Sequence, residues 1–539
     1  MNILIFIVFI IWSINPGKTE IKLNEFKPNI IPKKSIDGIK NHNPKKLEAN
    51  SLSSKRELEK SYNLYPIEIH VDLTGLNTGL SAANRTCKCN LTMKDFEEAV
   101  NEVKKTLNQL INVNRTGERN SIINIEDTIL DSQYGFEYGD YDERLLTTPL
   151  NNTDLIILVR FADSFHKDID STIDEEHFVI PKIIQFSSNR RPEVGCVILY
   201  TNFGLTKENK MEYLKFLFLH EFTHILGFDK ELLKYKHFID GTILLIRINE
   251  ENPIQRSTLN SPKVIEYAKQ YFNCPNIRFI ELENQDNFEG LTDCHWEARL
   301  LLGEYMTSEP YLSEQVISEF TLSLLEDLGF YTTNKYTGGL MKFGRNRGCE
   351  FLGYESTVVG ESDCIINGIP TFKYEFCSED MKPTCTSGRI GRGNCVIVNK
   401  LTLSMGPNYI YYKRVSKNYK TYGRINADYC PVSEINDISE KNEISGNCKV
   451  GNGDFGTYNN YESIEPLANK FFDKTVGESY GNYSFCALSS LTNKDDKSDY
   501  IQVYENKIRA TCYPMFCTEK SLTIQIYNQY LFVQGKVEL

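Results

Sequence analysis

The sequence predicts an α+β fold that gives way to a disulfide-rich, mainly β C-terminal part, and three observations carry this. Short apolar runs of strand length recur in the first 200 residues, at 67–71, 154–159 and 194–200. Two longer segments repeat apolar residues at helical spacing, one through Phe96, Val100, Val103, Leu107 and Leu110, the other through Leu214, Phe218, Phe222 and Leu226. Ten of the 15 cysteines fall between Cys349 and Cys517 without the paired C-x-x-C spacing of zinc ribbons, the pattern of a disulfide framework.

The elements follow in chain order. Residues 1–18 carry an apolar run at 3–14 that ends in Asn15-Pro16-Gly17. The run is shorter than the ~20 residues that span a bilayer, so it reads as a cleaved signal peptide, with an N-terminal membrane anchor as the alternative. Residues 19–63 are rich in Lys, Asn, Ser and Pro and read as a flexible leader or short pro-segment. An N-terminal subdomain is expected over 64–228. It begins with the alternating strand of "YPIEIHVDL" and continues into a helix that Thr92 and Asp95 cap, one face of which packs on a sheet. The apolar runs at 154–159 and 194–200 are its buried strands. A central subdomain is expected over 229–345, with a helix in "SEQVISEFTLSLLEDLGFY" that places Ile317, Phe320, Leu324 and Leu328 on one face and stops at Gly329. The cysteine-rich remainder occupies 346–539.

Composition excludes some functions. A formal net charge of -12 leaves no basic stripe for a phosphate backbone, so nucleic acid is set aside as a partner. Export fits better. Asn84, Asn90, Asn114, Asn151 and Asn482 each begin an Asn-x-Ser/Thr triplet, and the cysteine usage suits an oxidising compartment. The odd cysteine count leaves at least one thiol outside intrachain pairing. No second apolar segment reaches transmembrane length and the C-terminus lacks a lipid-anchor signal, so a secreted, extracellular product is expected, with cell-surface association left open. The oligomeric state leaves no mark in the sequence.

The chemistry concentrates at "HEFTH", residues 220–224. On a helix, four residues at 1.5 Å rise set His220 and His224 about 6 Å apart along the axis, where both reach one ion. Glu221 then lies beside the ion without taking a ligand place, where its carboxylate can serve as general base. Gly227 lets the helix stop and turn. A hydrolytic zinc site wants a third protein ligand. In metzincin peptidases a histidine supplies it three residues after the glycine, but that slot holds Lys230. The candidates are His237, a downstream glutamate, or His295 in "CHWEARLLLGEYMT", which has Met306-Thr307 eleven residues beyond it.

Together these residues resemble the leishmanolysin family, the surface glycoprotein metallopeptidases of the metzincin clan. That family interrupts the motif after the helix glycine, draws the third histidine from an S-H-W-E-x-R segment and follows it with a methionine turn. The matching residues are His220, Glu221, His224, Gly227-Phe228, "YFNC" at 271–274, His295-Trp296-Glu297 with Arg299, Met306-Thr307, "DLGFY" and "GRNRGCEF". The resemblance covers roughly 65–530. It implies a metzincin-like catalytic domain with an active-site helix and a central insertion. It implies one zinc ion per chain on His220, His224 and His295, with Glu221 as catalytic base and Met306 as a structural floor. The implied activity is a secreted metalloendopeptidase acting on protein or peptide substrates; the alternative is a relative acting in cell adhesion or binding, with weak or no peptidase activity. Two departures stand out. No cysteine precedes Cys87, so latency through a pro-segment cysteine is not expected. Cys294 replaces the usual serine before the third histidine, and is either the unpaired thiol or a disulfide partner of Cys274.

Overall fold

In the computed structural model, residues 21–22 and, with interruptions, 64–534 are described; the longer stretches outside are 1–20, 23–63, 126–139, 163–178, 201–209, 284–293, 353–363, 401–420 and 436–482 apart from Cys448. The expected signal peptide, nearly all of the leader, Asn482, and the side chains of Cys87, Cys89 and Cys517 lie outside the described residues.

A four-stranded sheet underlies the site. Its strands are β1 (Ile69–Asp72), β2 (Leu155–Phe161), β3 (Val179–Phe186) and β4 (Pro192–Leu199), in the spatial order β1-β2-β4-β3. β1, β2 and β4 run parallel, and β3 closes one edge antiparallel to β4. Every residue of β2 is buried, which is why it reads as a continuous apolar run and not as an alternation. The strand expected at 67–71 is split. Leu64–Pro66 pairs elsewhere, and Ile67 and Glu68 turn their backbone N–H groups onto the Ile111 carbonyl and the Asp154 carboxylate before β1 begins.

Helix α1 (Met93–Leu110) starts at the expected cap: the Thr92 side chain accepts from the Asp95 backbone while Asp95 accepts from the Thr92 backbone. Its Phe96 ring meets Phe161 of β2 and Phe218 of the next helix, each at 6.2 Å, so α1 packs on sheet and helix together. That next helix, α2 (Lys210–Leu226), buries Leu214, Phe218, Phe222 and Leu226 completely. It lies so close to β4 that a Cβ on Gly195 would stand 2.4 Å from Cγ2 of Ile225. At its end Gly227 adopts φ +133, a backbone that side-chain-bearing residues rarely take, and its N–H bonds back to the Thr223 and His224 carbonyls.

Beyond α2, helix α3 (Pro262–Phe272) leads to the short strand β5 (Ile280–Leu282), and helix α4 (Glu319–Asp327) packs on α3 with Phe320 set against Tyr267 and Tyr271. α4 begins later than its periodicity suggests. The Ser318 side chain caps it through the Phe320 N–H, and Val316 is already committed to the turn before it, donating to the Gly303 carbonyl and accepting from Tyr305. Ile317 therefore stands outside the helix.

Among the described residues five disulfides join Cys274 to Cys349, Cys364 to Cys430, Cys377 to Cys395, Cys385 to Cys486, and Cys448 to Cys512. The proposed pairing of Cys274 with Cys294 is thereby overturned: the end of α3 carries Cys274 to Cys349, and Cys294 faces a histidine ring instead. One apolar cluster runs from Ile67 through α1, α2, α3 and α4 to Ala427, Cys430 and Val432. The last strands, Ser484–Ser489, Arg509–Thr518, Ser521–Ile526 and Gln529–Gln534, form an antiparallel four-stranded sheet. Among the described residues no helix is long and apolar enough to cross a membrane. Of the glycosylation triplets, Asn90 and Asn151 are exposed, whereas Asn84 lies in a helix and spends both amide atoms on the Leu91 backbone.

Candidate metal centre

The two histidines of α2 project from one side of the helix into a buried space, and His295 meets them there. Their Nε2 atoms form a near-equilateral triangle: 3.0 Å between His220 and His224, 3.0 Å between His220 and His295, and 3.1 Å between His224 and His295. All three are at most 6% exposed. Tetrahedral zinc with Zn–N of about 2.0–2.1 Å would hold such atoms about 3.3–3.4 Å apart, so a small outward shift of the rings brings the triangle to the size such an ion needs.

The backbone decides which ring nitrogen faces inward. Nδ1 of His220 donates to the Tyr305 carbonyl at 2.7 Å, and Nδ1 of His224 donates to the Phe228 carbonyl at 2.8 Å. A carbonyl can only accept, so both protons sit on Nδ1 and both Nε2 atoms turn bare lone pairs toward each other. Two lone pairs at 3.0 Å repel unless a cation lies between them. Burial further holds both rings neutral: it lowers His220 to about 4 against the bond to Tyr305, and lowers His224 well below the usual imidazole range, helped by the neighbouring His295 and His220.

His295 reaches the triangle because its segment is strapped on two sides. The His295 carbonyl accepts from Glu283 just beyond β5, and Trp296 forms a bridge with Leu282. On the other side the Trp296 N–H donates to the Met306 carbonyl, and Trp296 also bridges Thr307. The Trp296 ring is fully buried against Phe228, with its Nε1–H on Thr321 of α4. Glu304 then accepts from Thr321, from Ser318 and from the Met306 N–H, which ties the methionine turn to the cap of α4. Tyr305 closes the circuit, its carbonyl on His220 and its hydroxyl 3.0 Å from Thr223 of α2. Sγ of Cys294 lies 3.6 Å from Nδ1 of His295.

Glu221, one residue past His220, is 6% exposed, and burial pushes its carboxyl up to about 8. The expected histidines are thus brought together and the other two candidates are not: among the described residues no downstream glutamate joins the group, and His237 is exposed, at φ +57 just after a short helix, outside it. Sequence reasoning did not find the two carbonyl acceptors, Glu304, or the ion pairs that Arg299 makes with Glu281 and Asp428. Arg299 was legible as a matching residue of the family segment but not as an ion-pair partner, and Glu304 only as a letter inside "HWEARLLLGEYMT".

A helix-borne His-Glu-x-x-His pair completed by a third histidine from a distant strap is the donor arrangement of a metallopeptidase. The sequence model of the leishmanolysin peptidases matches residues 112–536, most of the chain, and the chain belongs to that family. It is similar to a leishmanolysin homolog of Crithidia fasciculata, at 25% identity over 69% of this chain and 52% of that one. A leishmanolysin-like peptidase of Caenorhabditis elegans is 28% identical over 50% of this chain and 40% of its own, and a ciliated left-right organizer metallopeptidase of Danio rerio 30% over 31% and 28%. The chain thus spans about half or less of the length of these relatives.

Proposed function

We propose that the protein is a secreted zinc-dependent metalloendopeptidase. His220, His224 and His295 hold one zinc ion through Nε2, and Glu221 is the general base. The observation that carries this reading is the pair of bare Nε2 atoms locked face to face at 3.0 Å by carbonyl bonds on their far sides, with a third Nε2 equally close. Family membership supports peptide or protein substrates. The disulfides among the described residues favour an oxidising compartment.

When bound, zinc supplies Lewis acidity toward the scissile carbonyl and lowers the pKa of water. The chain's own residues do the rest. The two carbonyls fix the histidine tautomers and aim the rings. Glu221 takes a proton from the attacking water on its carboxylate and returns it to the leaving amine nitrogen.

The test is hydrolysis of an unfolded protein such as casein by the purified chain, with bound metal quantified. The proposal expects one zinc per chain, loss of cleavage when a chelator strips it, and recovery on adding zinc. Cleavage that survives complete removal of metal would refute it.

A further inference from the structure

The third histidine is held by more than its own neighbourhood. Arg299, four residues after His295, is buried to 2% exposure and donates Nη2 to Glu281 of β5 at 2.6 Å and Nε to Asp428 at 2.9 Å. Asp428 comes from the cysteine-rich part of the chain, 129 residues away. It sits in a left-handed backbone conformation at φ +51, immediately after the short 3₁₀ turn Ile425–Ala427. A second contact leaves the same turn: Asn426 donates Nδ2 to Ser308 at 3.3 Å, and Ser308 donates to Glu283 at 3.0 Å.

These contacts reach both straps of His295. Glu281 and Glu283 flank the β5 strap, whose Glu283 N–H carries the His295 carbonyl; Ser308 directly follows the turn whose Met306 carbonyl carries the Trp296 N–H. The turn is itself anchored. Cys430 donates its N–H to Ala427 and is bonded to Cys364, and Gly423 lies so close that a Cβ there would stand 2.2 Å from the Cys430 carbonyl oxygen.

We infer that Asp428 is a positioning residue of the zinc centre, acting through Arg299 on the segment that carries His295, so that the cysteine-rich region completes the metal site. The inference rests on the zinc reading of the three histidines. Three carboxylates, of Glu281, Glu297 and Asp428, gather around the one guanidinium, and their ligand atoms lie within 4.8 Å of one another. Arg299 is placed by being pulled from two sides, and the planar fork of its guanidinium answers only to carboxylates in the right directions. Removing the Asp428 charge leaves Glu281 as its stronger anchor, and the His295 segment is then free to lean toward β5.

The test is zinc affinity, measured by competition with a chromophoric chelator, for the full chain and for Asp428→Asn, Asp428→Glu and Asn426→Ala, each checked for native circular dichroism. Cobalt substitution gives an independent readout of ligand geometry. Loss of an outer partner of a ligand typically costs 10–100-fold in metal affinity. We expect Asp428→Asn to bind zinc at least about tenfold more weakly with an altered cobalt spectrum, Asp428→Glu to recover part of the loss, and Asn426→Ala to bind measurably more weakly than wild type. A merely structural role would lower the melting temperature of the zinc-free protein but leave affinity and spectrum of the folded protein unchanged, and that result overturns the inference. If Asp428→Asn does not fold, Asn426→Ala decides: affinity within the error of wild type overturns it. A wild-type chain that takes up no zinc would defeat the metallopeptidase reading itself, whereas tight binding by wild type and variants alike defeats this inference alone.

Discussion

Adding one methyl group at Gly195 should damage both stability and the metal site. The Cβ of Gly195→Ala would stand 2.4 Å from Cγ2 of Ile225, 3.1 Å from its Cδ1 and 3.0 Å from the Lys182 carbonyl oxygen. Non-bonded carbons settle at about 3.5–4.0 Å, so the first contact is short by about 1.1 Å or more (3.5 − 2.4). Ile225 is fully buried and cannot rotate away into solvent, so α2 must retreat from β4 or the strand must bend. Overpacking of this kind costs about 1–3 kcal/mol. Because Ile225 directly follows His224, a retreat of the helix also moves one corner of the histidine triangle. Urea unfolding of the chelator-treated variant should show the loss, and zinc competition should show weaker binding. A variant as stable as wild type within about 0.5 kcal/mol, binding zinc equally well, would refute the close-packing argument.

Other substitutions test the supports one at a time. Thr321→Val removes the acceptor of Trp296 Nε1 and a donor to Glu304, both buried, and should cost about 1–3 kcal/mol, read by denaturant titration. Burial pushes the Glu304 carboxyl up to about 7 from an ordinary value of 4.5, so the folded state binds the proton more tightly than the unfolded chain. Glu304 should therefore make stability fall as pH rises from about 4.5 to about 7 and level off above, by about 3 kcal/mol at most; the wild-type-minus-Glu304→Gln difference in zinc-free protein should trace that slope. His220 and His224 act oppositely. Their lowered folded values mean that stability is lost as pH falls below the ordinary imidazole value of 6.5, and bound zinc should be released over the same acid range. Replacing both Cys274 and Cys349 by alanine opens a loop with a sequence separation of 75 and should cost about 4 kcal/mol in the chain-entropy account, measurable as a lowered melting temperature.

How much of this was legible in the sequence depends on whether side chains or backbone carry it. The helix of His220 and His224 declares itself by its apolar repeat, and its end by Gly227. The cap of α1 is written in Thr92 and Asp95. The start of α4 was misread because Ile317 keeps the helical period while Val316, one residue earlier, is drawn into the turn that ends at Thr307. Periodicity cannot see that competition. Nor can a sequence mark which carbonyls will receive the histidine Nδ1 protons, since every residue has one; Tyr305 and Phe228 are chosen by the path of the chain. The link from Arg299 to Asp428 spans 129 residues, and six or more cysteines admit too many pairings for Cys274–Cys349 to be read in advance.

The most direct test of the central claim is Glu221→Ala compared with wild type, with zinc content and casein hydrolysis measured on the same preparations. The account predicts that the variant keeps its zinc, because Glu221 is not among the three histidine donors, and loses at least about a hundredfold in rate, the lower range of general acid–base help. A variant that retains its zinc and cleaves at the wild-type rate would contradict it.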